Sequence, residues 1–193
     1  MKTSLLTLIL SLTIMLTFAQ TSEHLTFKGV PIDGTLDEYV SKMKQSGFKH
    51  IGTENKTAIL NGDFAGYKGC YVGVSTLTQK DLVHKISVIF PERETWSTLS
   101  GNYFDLKAML GEKYGEPKEV VEKFDSYPEP RDDERKMYRV KFDNCKYYSI
   151  WETDNGKIQL SIDHDGVTRC FVRLSYFDKI NGQIIKAKAI DDL

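Results

Sequence analysis

Apolar positions recur along this chain with two different periods. Trp96, Leu99, Tyr103, Leu106, Leu110 and Tyr114 follow one another at intervals of three or four, which sets them on one stripe of a helix. That helix is predicted to stop at Gly115, which tolerates the left-handed geometry of a helix end, and Pro117 bars its continuation. An earlier segment has the same character. Thr35-Leu36-Asp37-Glu38 has the form of a capping box, Leu36, Tyr39, Val40 and Met43 make the apolar stripe, and Gly47 followed by Phe48 supplies the stop.

Around these helices the period drops to two. Lys49 to Thr53 and Thr57 to Asp63 read as short strands, and Phe64 to Gly69 as a glycine-rich turn. Cys70, Val72, Val74 and Thr76 then alternate with Tyr71, Gly73, Ser75 and Leu77, and Ile86, Val88 and Phe90 alternate with Lys85, Ser87 and Ile89. After the central helix, Lys118 to Phe124 is a further strand candidate. Asp125 to Arg135, with two prolines and a charge cluster, reads as an exposed loop. Four more strands are expected, marked by Tyr138, Val140 and Phe142; by Tyr148 and Ile150; by Ile158, Leu160 and Ile162; and by Cys170, Val172, Leu174 and Tyr176. Asp154-Asn155-Gly156 signals a type I′ hairpin, and Asp163 to Gly166 the next turn. Gln20 to Lys28 is a polar lead-in, Val30 to Gly34 a turn, and the tail after Tyr176 a short helix or a frayed end.

Hairpins join consecutive strands, so a doubly wound fold is excluded. The expected class is α+β: two tandem α-ββββ pattern repeats, over residues 20–91 and 92–193, sharing one compact unit with helices on one face of a mainly antiparallel sheet. This order, over Thr35 to Tyr176, resembles the tandem α/β fold of β-lactamase inhibitor proteins. Each half is also similar to the small outer-membrane-assembly lipoproteins of the SmpA/OmlA type, whose helix ends in a glycine-x-proline turn like Gly115-Glu116-Pro117. The resemblance implies a small exported protein of tandem α/β fold. No inhibitory residue carries over, because no local motif matches.

Composition places that fold. Lys2, the apolar run Leu5 to Leu16 and the small residues flanking a cleavage point near Ala19 make residues 1–19 a signal peptide. The expected location is periplasmic or secreted. No Cys follows the apolar run, so neither a lipid anchor nor stable membrane insertion after cleavage is expected. The formal net charge of −1 becomes one unit more acidic once Lys2 is removed, which argues against a nucleic-acid partner.

Candidate chemistry is sparse. An oxidising compartment permits a disulfide among three cysteines; Cys70 and Cys170 share core parity and are the candidate pair, while Cys145 and Cys170 are held apart by an intervening strand. The four histidines, His24, His50, His84 and His164, lack metal-ligand spacing, so no metal or cofactor is expected. No Gly-x-Ser-x-Gly or phosphate loop occurs, and Asp132-Asp133-Glu134 reads as solvated loop carboxylates. With Tyr148 and Ile150 taken as inward, strand parity turns Tyr147 and Trp151 outward, beside Arg169, Phe171 and Arg173. Tyr, Trp, Phe and Arg together are the types enriched at binding hot spots, so the expectation is a non-catalytic binding module with an envelope protein or extracellular ligand as partner. The alternatives are a small exported hydrolase whose site is assembled only in three dimensions, and a structural envelope protein.

Overall fold

In a computed structural model, which describes residues 23–76, 80–125 and 127–191, the strands join into one eight-stranded antiparallel sheet. The segment read as a signal peptide lies outside the described residues. A short hairpin, β1 (Thr26–Phe27) with β2 (Val30–Pro31), precedes helix α1 (Leu36–Gln45). Then come β3 (Lys49–Glu54), β4 (Thr57–Phe64), β5 (Tyr67–Thr76), β6 (Val83–Ile89) and the central helix α2 (Trp96–Tyr114). The chain continues through β7 (Glu119–Phe124), α3 (Asp133–Lys141), β8 (Cys145–Thr153), β9 (Gly156–Asp165), β10 (Arg169–Asp178) and α4 (Lys179–Asp191).

The sheet order is β3-β4-β5-β6-β10-β9-β8-β7. Each half lays its strands down from an outer edge inward, and the two last strands meet in the middle. Their ladder runs antiparallel from Arg173 opposite Ile89 to Phe177 opposite Lys85.

The helix boundaries follow from the residues that cap them. Thr35 and Glu38 exchange both bonds of the capping box. Gly47, at φ +92°, ends α1 and lets the Phe48 amide reach back to the Met43 carbonyl. In α2 the predicted stripe is the buried one: Trp96, Leu99, Tyr103, Leu106 and Leu110 face the core, with Tyr114 packed at its edge. Gly115, at φ +80°, closes α2.

Buried stripe residues of α1, α2 and α3 belong to one cluster with Leu60, Val72, Val74, Ile86, Val88, Ile158, Leu160, Val172 and Leu174 of the sheet. The core therefore lies on one side of the sheet, beneath these three helices. Among the described residues no helix is long and apolar enough to cross a membrane.

Three expectations are corrected. Tyr138, Val140 and Phe142 lie on or at the end of helix α3, not on a strand. Asp132 caps that helix by accepting from the Arg135 amide, Met137 and Val140 are buried three residues apart, and Tyr138 packs on Phe142 one turn on, with ring centroids 4.4 Å apart. The second half thus has a helix between its first two strands, and its order differs from the helix-then-four-strands of the first. The hairpin between β8 and β9 is present, but neither Asn155 nor Gly156 has positive φ. Gly156 is required there for space, since a Cβ would come 2.2 Å from the Phe177 carbonyl oxygen. Leu25, Phe27 and Ile32, read as lead-in and turn, are buried.

Candidate functional site

Because three helices cover one face of the sheet, alternate residues of every strand project from the other. Ladder registers arrange them in rows that cross the strands. One row runs Asn61, Tyr71, Ile89, Arg173, Ser161, Tyr148. The next runs Ile59, Gly73, Ser87, Ser175, Gln159, Ile150. The third runs Thr57, Ser75, Lys85, Phe177, Lys157, Glu152. The middle row has the small side chains at the junction of the two halves, so it forms a floor between two taller rows. Ser87 and Ser175 hydroxyls face each other there at 3.1 Å, and Thr57 and Ser75 do the same at 3.1 Å.

A cavity of about 510 Å³ opens over this face. Ile59, Tyr71, Ile89, Pro91 and Phe171 give it apolar surface, and Glu92, His164, Asp165, Arg169 and Arg173 line its charged end. Tyr71 is 50% exposed.

Of the five predicted site residues, the structure brings Arg169, Phe171 and Arg173 to this cavity. It places Tyr147 and Trp151 on the opposite face, correcting the parity of β8. Trp151 is 1% exposed and donates from Nε1 to the Gly115 carbonyl at 2.9 Å. Tyr147 packs edge-on against Trp96 and Tyr103 and beside Phe124. Between them Ser149 is buried and hydrogen-bonded to the Tyr103 hydroxyl at 2.8 Å. Tyr148 and Ile150 project on the open face instead.

Charges at the open face are partly paired. Arg173 lies 3.0 Å from Asp163 and stacks over the Phe171 ring at 5.6 Å. Arg169 pairs with Asp165 and lies 3.6 Å from Glu92. His164 Nδ1 donates to the Gly166 carbonyl at 2.7 Å, and Nε2 lies 2.9 Å from Asp143. Both acceptors are satisfied together only by the imidazolium, and the Asp143 hydrogen bond raises the pKa of His164 above its ordinary value. No salt bridge joins Lys85 or Lys157 to a carboxylate among the described residues, although Asp163 acts on Lys85 at longer range and Glu152 stands opposite Lys157 on β8. Burial, reinforced by nearby Arg173, lowers the pKa of the Lys85 ammonium below the usual lysine range.

The thiols lie apart from this face and are free. Cys70 sits on β5 and Cys170 on β10, with β6 between them, so the expected bridge is not formed: two strand spacings of about 4.8 Å exceed a disulfide's reach. Burial raises the pKa of all three, that of Cys145 to about 12, and keeps them protonated and poorly nucleophilic. Among the described residues no three His, Cys, Asp or Glu side chains converge as metal ligands do.

Comparison with models of protein families, with curated proteins and with solved structures finds no match for this chain. The site is therefore read from its own geometry. Tyr71, Ile89, Lys85 and Phe177 are the members that sequence reasoning missed, while Lys157 was expected to face outward beside the arginines. Phe177 fell in the tail expected to be a short helix or a frayed end, whereas β10 runs on to Asp178; Tyr71, Ile89 and Lys85 were placed on strands or beside them, but only the β6–β10 pairing brings them beside Arg173.

Proposed function

We propose that this chain is an exported, non-catalytic binding module whose uncovered sheet face contacts a protein or other envelope ligand. The observation that carries the reading is the cavity over that face, where Tyr71, Ile89, Phe171, Arg169 and Arg173 converge from strands of both halves. Aromatic and arginine side chains supply contact area and directed hydrogen bonds at little entropic cost, and the small floor of Gly73, Ser87 and Ser175 leaves room for an inserted group. Flanking ion pairs hold both guanidinium groups in place before a partner arrives.

A photo-crosslinking amino acid placed at Tyr71 tests this. In native envelope extract it is expected to give a discrete adduct that disappears when Arg173→Ala is added. The same probe at Phe104, which is 45% exposed on the helix side, is expected to give none. Equal labelling from both positions would overturn the reading.

A further inference from the structure

Phe177 of β10 stands opposite Lys85 of β6 on one side and Lys157 of β9 on the other. Their ammonium groups lie 5.2 and 4.8 Å from its ring centroid. Both arginines of this face are ion-paired, whereas neither lysine forms a salt bridge among the described residues: Asp163, which acts on Lys85, is held by Arg173, and Glu152, opposite Lys157, is held by Lys118. This is not the spillover of a basic protein, since the chain carries a formal net charge of −1. Lys157, Lys179 and Lys186 line an adjoining cleft of about 390 Å³ together with Glu152 and Asp178.

A half-buried ammonium with no salt-bridge partner of its own costs free energy that an incoming anion recovers. The shape of the face says what kind of anion. Ile89 and Lys85 are four residues apart on β6, so the apolar pair Tyr71 and Ile89 stands about 13 Å from the lysine row across the floor. That spacing admits an extended or looped polypeptide, which meets apolar surface on one side and positive charge on the other. An isolated small anion would use only the lysine side.

We infer that the open face receives a polypeptide segment bearing carboxylate side chains, with a carboxylate between Lys85 and Lys157 and a neighbouring apolar side chain on Tyr71 and Ile89. This rests on the open face being the binding surface. Lys-to-Met substitutions separate charge from packing, because Met retains the apolar stem against Phe177.

The test uses the full mature chain, labelled with ¹⁵N, and three probes: a decapeptide of alternating Glu and Tyr, its Gln-Tyr counterpart, and free glutamate. The acidic peptide is expected to bind at least tenfold tighter than the neutral one, to weaken with salt, and to shift the amide signals of Gly73, Ser87 and Ser175. Lys85→Met with Lys157→Met should cost at least tenfold in affinity for it and leave the melting temperature in place. Equal binding of the two peptides at these amides would overturn carboxylate recognition and leave the face as a binding surface. Shifts confined to the helix side would overturn both. No saturable binding of the acidic peptide, glutamate binding as tightly as the peptide, or a single-stranded oligonucleotide binding the lysine row more tightly would each overturn the inference.

Discussion

At the scale of single residues, two side chains make sharp predictions. The Tyr39 hydroxyl is buried with no hydrogen-bond partner among the described residues. Tyr39→Phe removes that unpaired group without changing the packing shape, so it should stabilise the fold by about 1 kcal/mol in urea unfolding. A loss of stability would show the hydroxyl to be engaged. His164 titrates above its ordinary value because the folded state bonds its charged form to Asp143. Its contribution is fully present below the unfolded pKa of about 6.5 and is lost as pH rises through the folded pKa. Asp143 is largely exposed, so the contribution is small, a few tenths of a kcal/mol. An NMR titration should give a His164 pKa above about 6.5 that falls toward it in Asp143→Asn. Residue scale is also where the sequence was least legible. On β8 both parities carry large apolar residues, Tyr147 and Trp151 against Tyr148 and Ile150, and alternation cannot choose between them. The choice is made by α2, whose Gly115 carbonyl and Tyr103 hydroxyl receive Trp151 and Ser149.

At the scale of elements, patterns that act locally were legible and those that act at a distance were not. The capping box of α1 and the stripe of α2 are complete within a few turns, and both appear as read. Alternation at 138, 140 and 142 misled because positions 138 and 142 are also one helical turn apart, and the capping residue Asp132 sits in a stretch whose prolines suggest a loop. One member of the acidic cluster also acts on another helix. Asp133 accepts from the Trp96 and Ser97 amides, both at 2.8 Å, and so binds two free N–H groups at the start of α2. Asp133→Ala should therefore destabilise the protein by about 1–2 kcal/mol, measured by chemical unfolding, with helical content elsewhere unchanged. An effect no larger than that of Glu134→Ala would show the contact to be incidental.

At the scale of the whole molecule, one buried carboxylate fastens the start of the described chain to its end. Asp178 accepts from the Leu25 amide at 2.7 Å, the Asn181 amide at 2.8 Å and His24 at 3.0 Å. Asn181 in turn donates to the Val83 and Ile32 carbonyls. Asp178→Ala strands these donors and should cost about 3 kcal/mol, a fall in melting temperature of roughly 6–12 °C for a chain of this size. A change within a degree would show that solvent replaces the carboxylate. The α+β class and the antiparallel sheet were legible because hairpin ladders join neighbours in sequence. The pairing of β6 with β10, and with it the composition of the open face, was not.

The middle of the sheet carries a consequence for how occupancy and folding are coupled. Ser87 and Ser175 touch across 88 positions of sequence, and the groups that flank them come from both halves. Anything seated over that line grips two separately laid-down pieces at once, like a clasp across a seam. It binds only after they have closed, so by mass action each tenfold excess over its dissociation constant holds them shut by about a further 1.4 kcal/mol. An occupied molecule would accordingly part along this line later than an empty one.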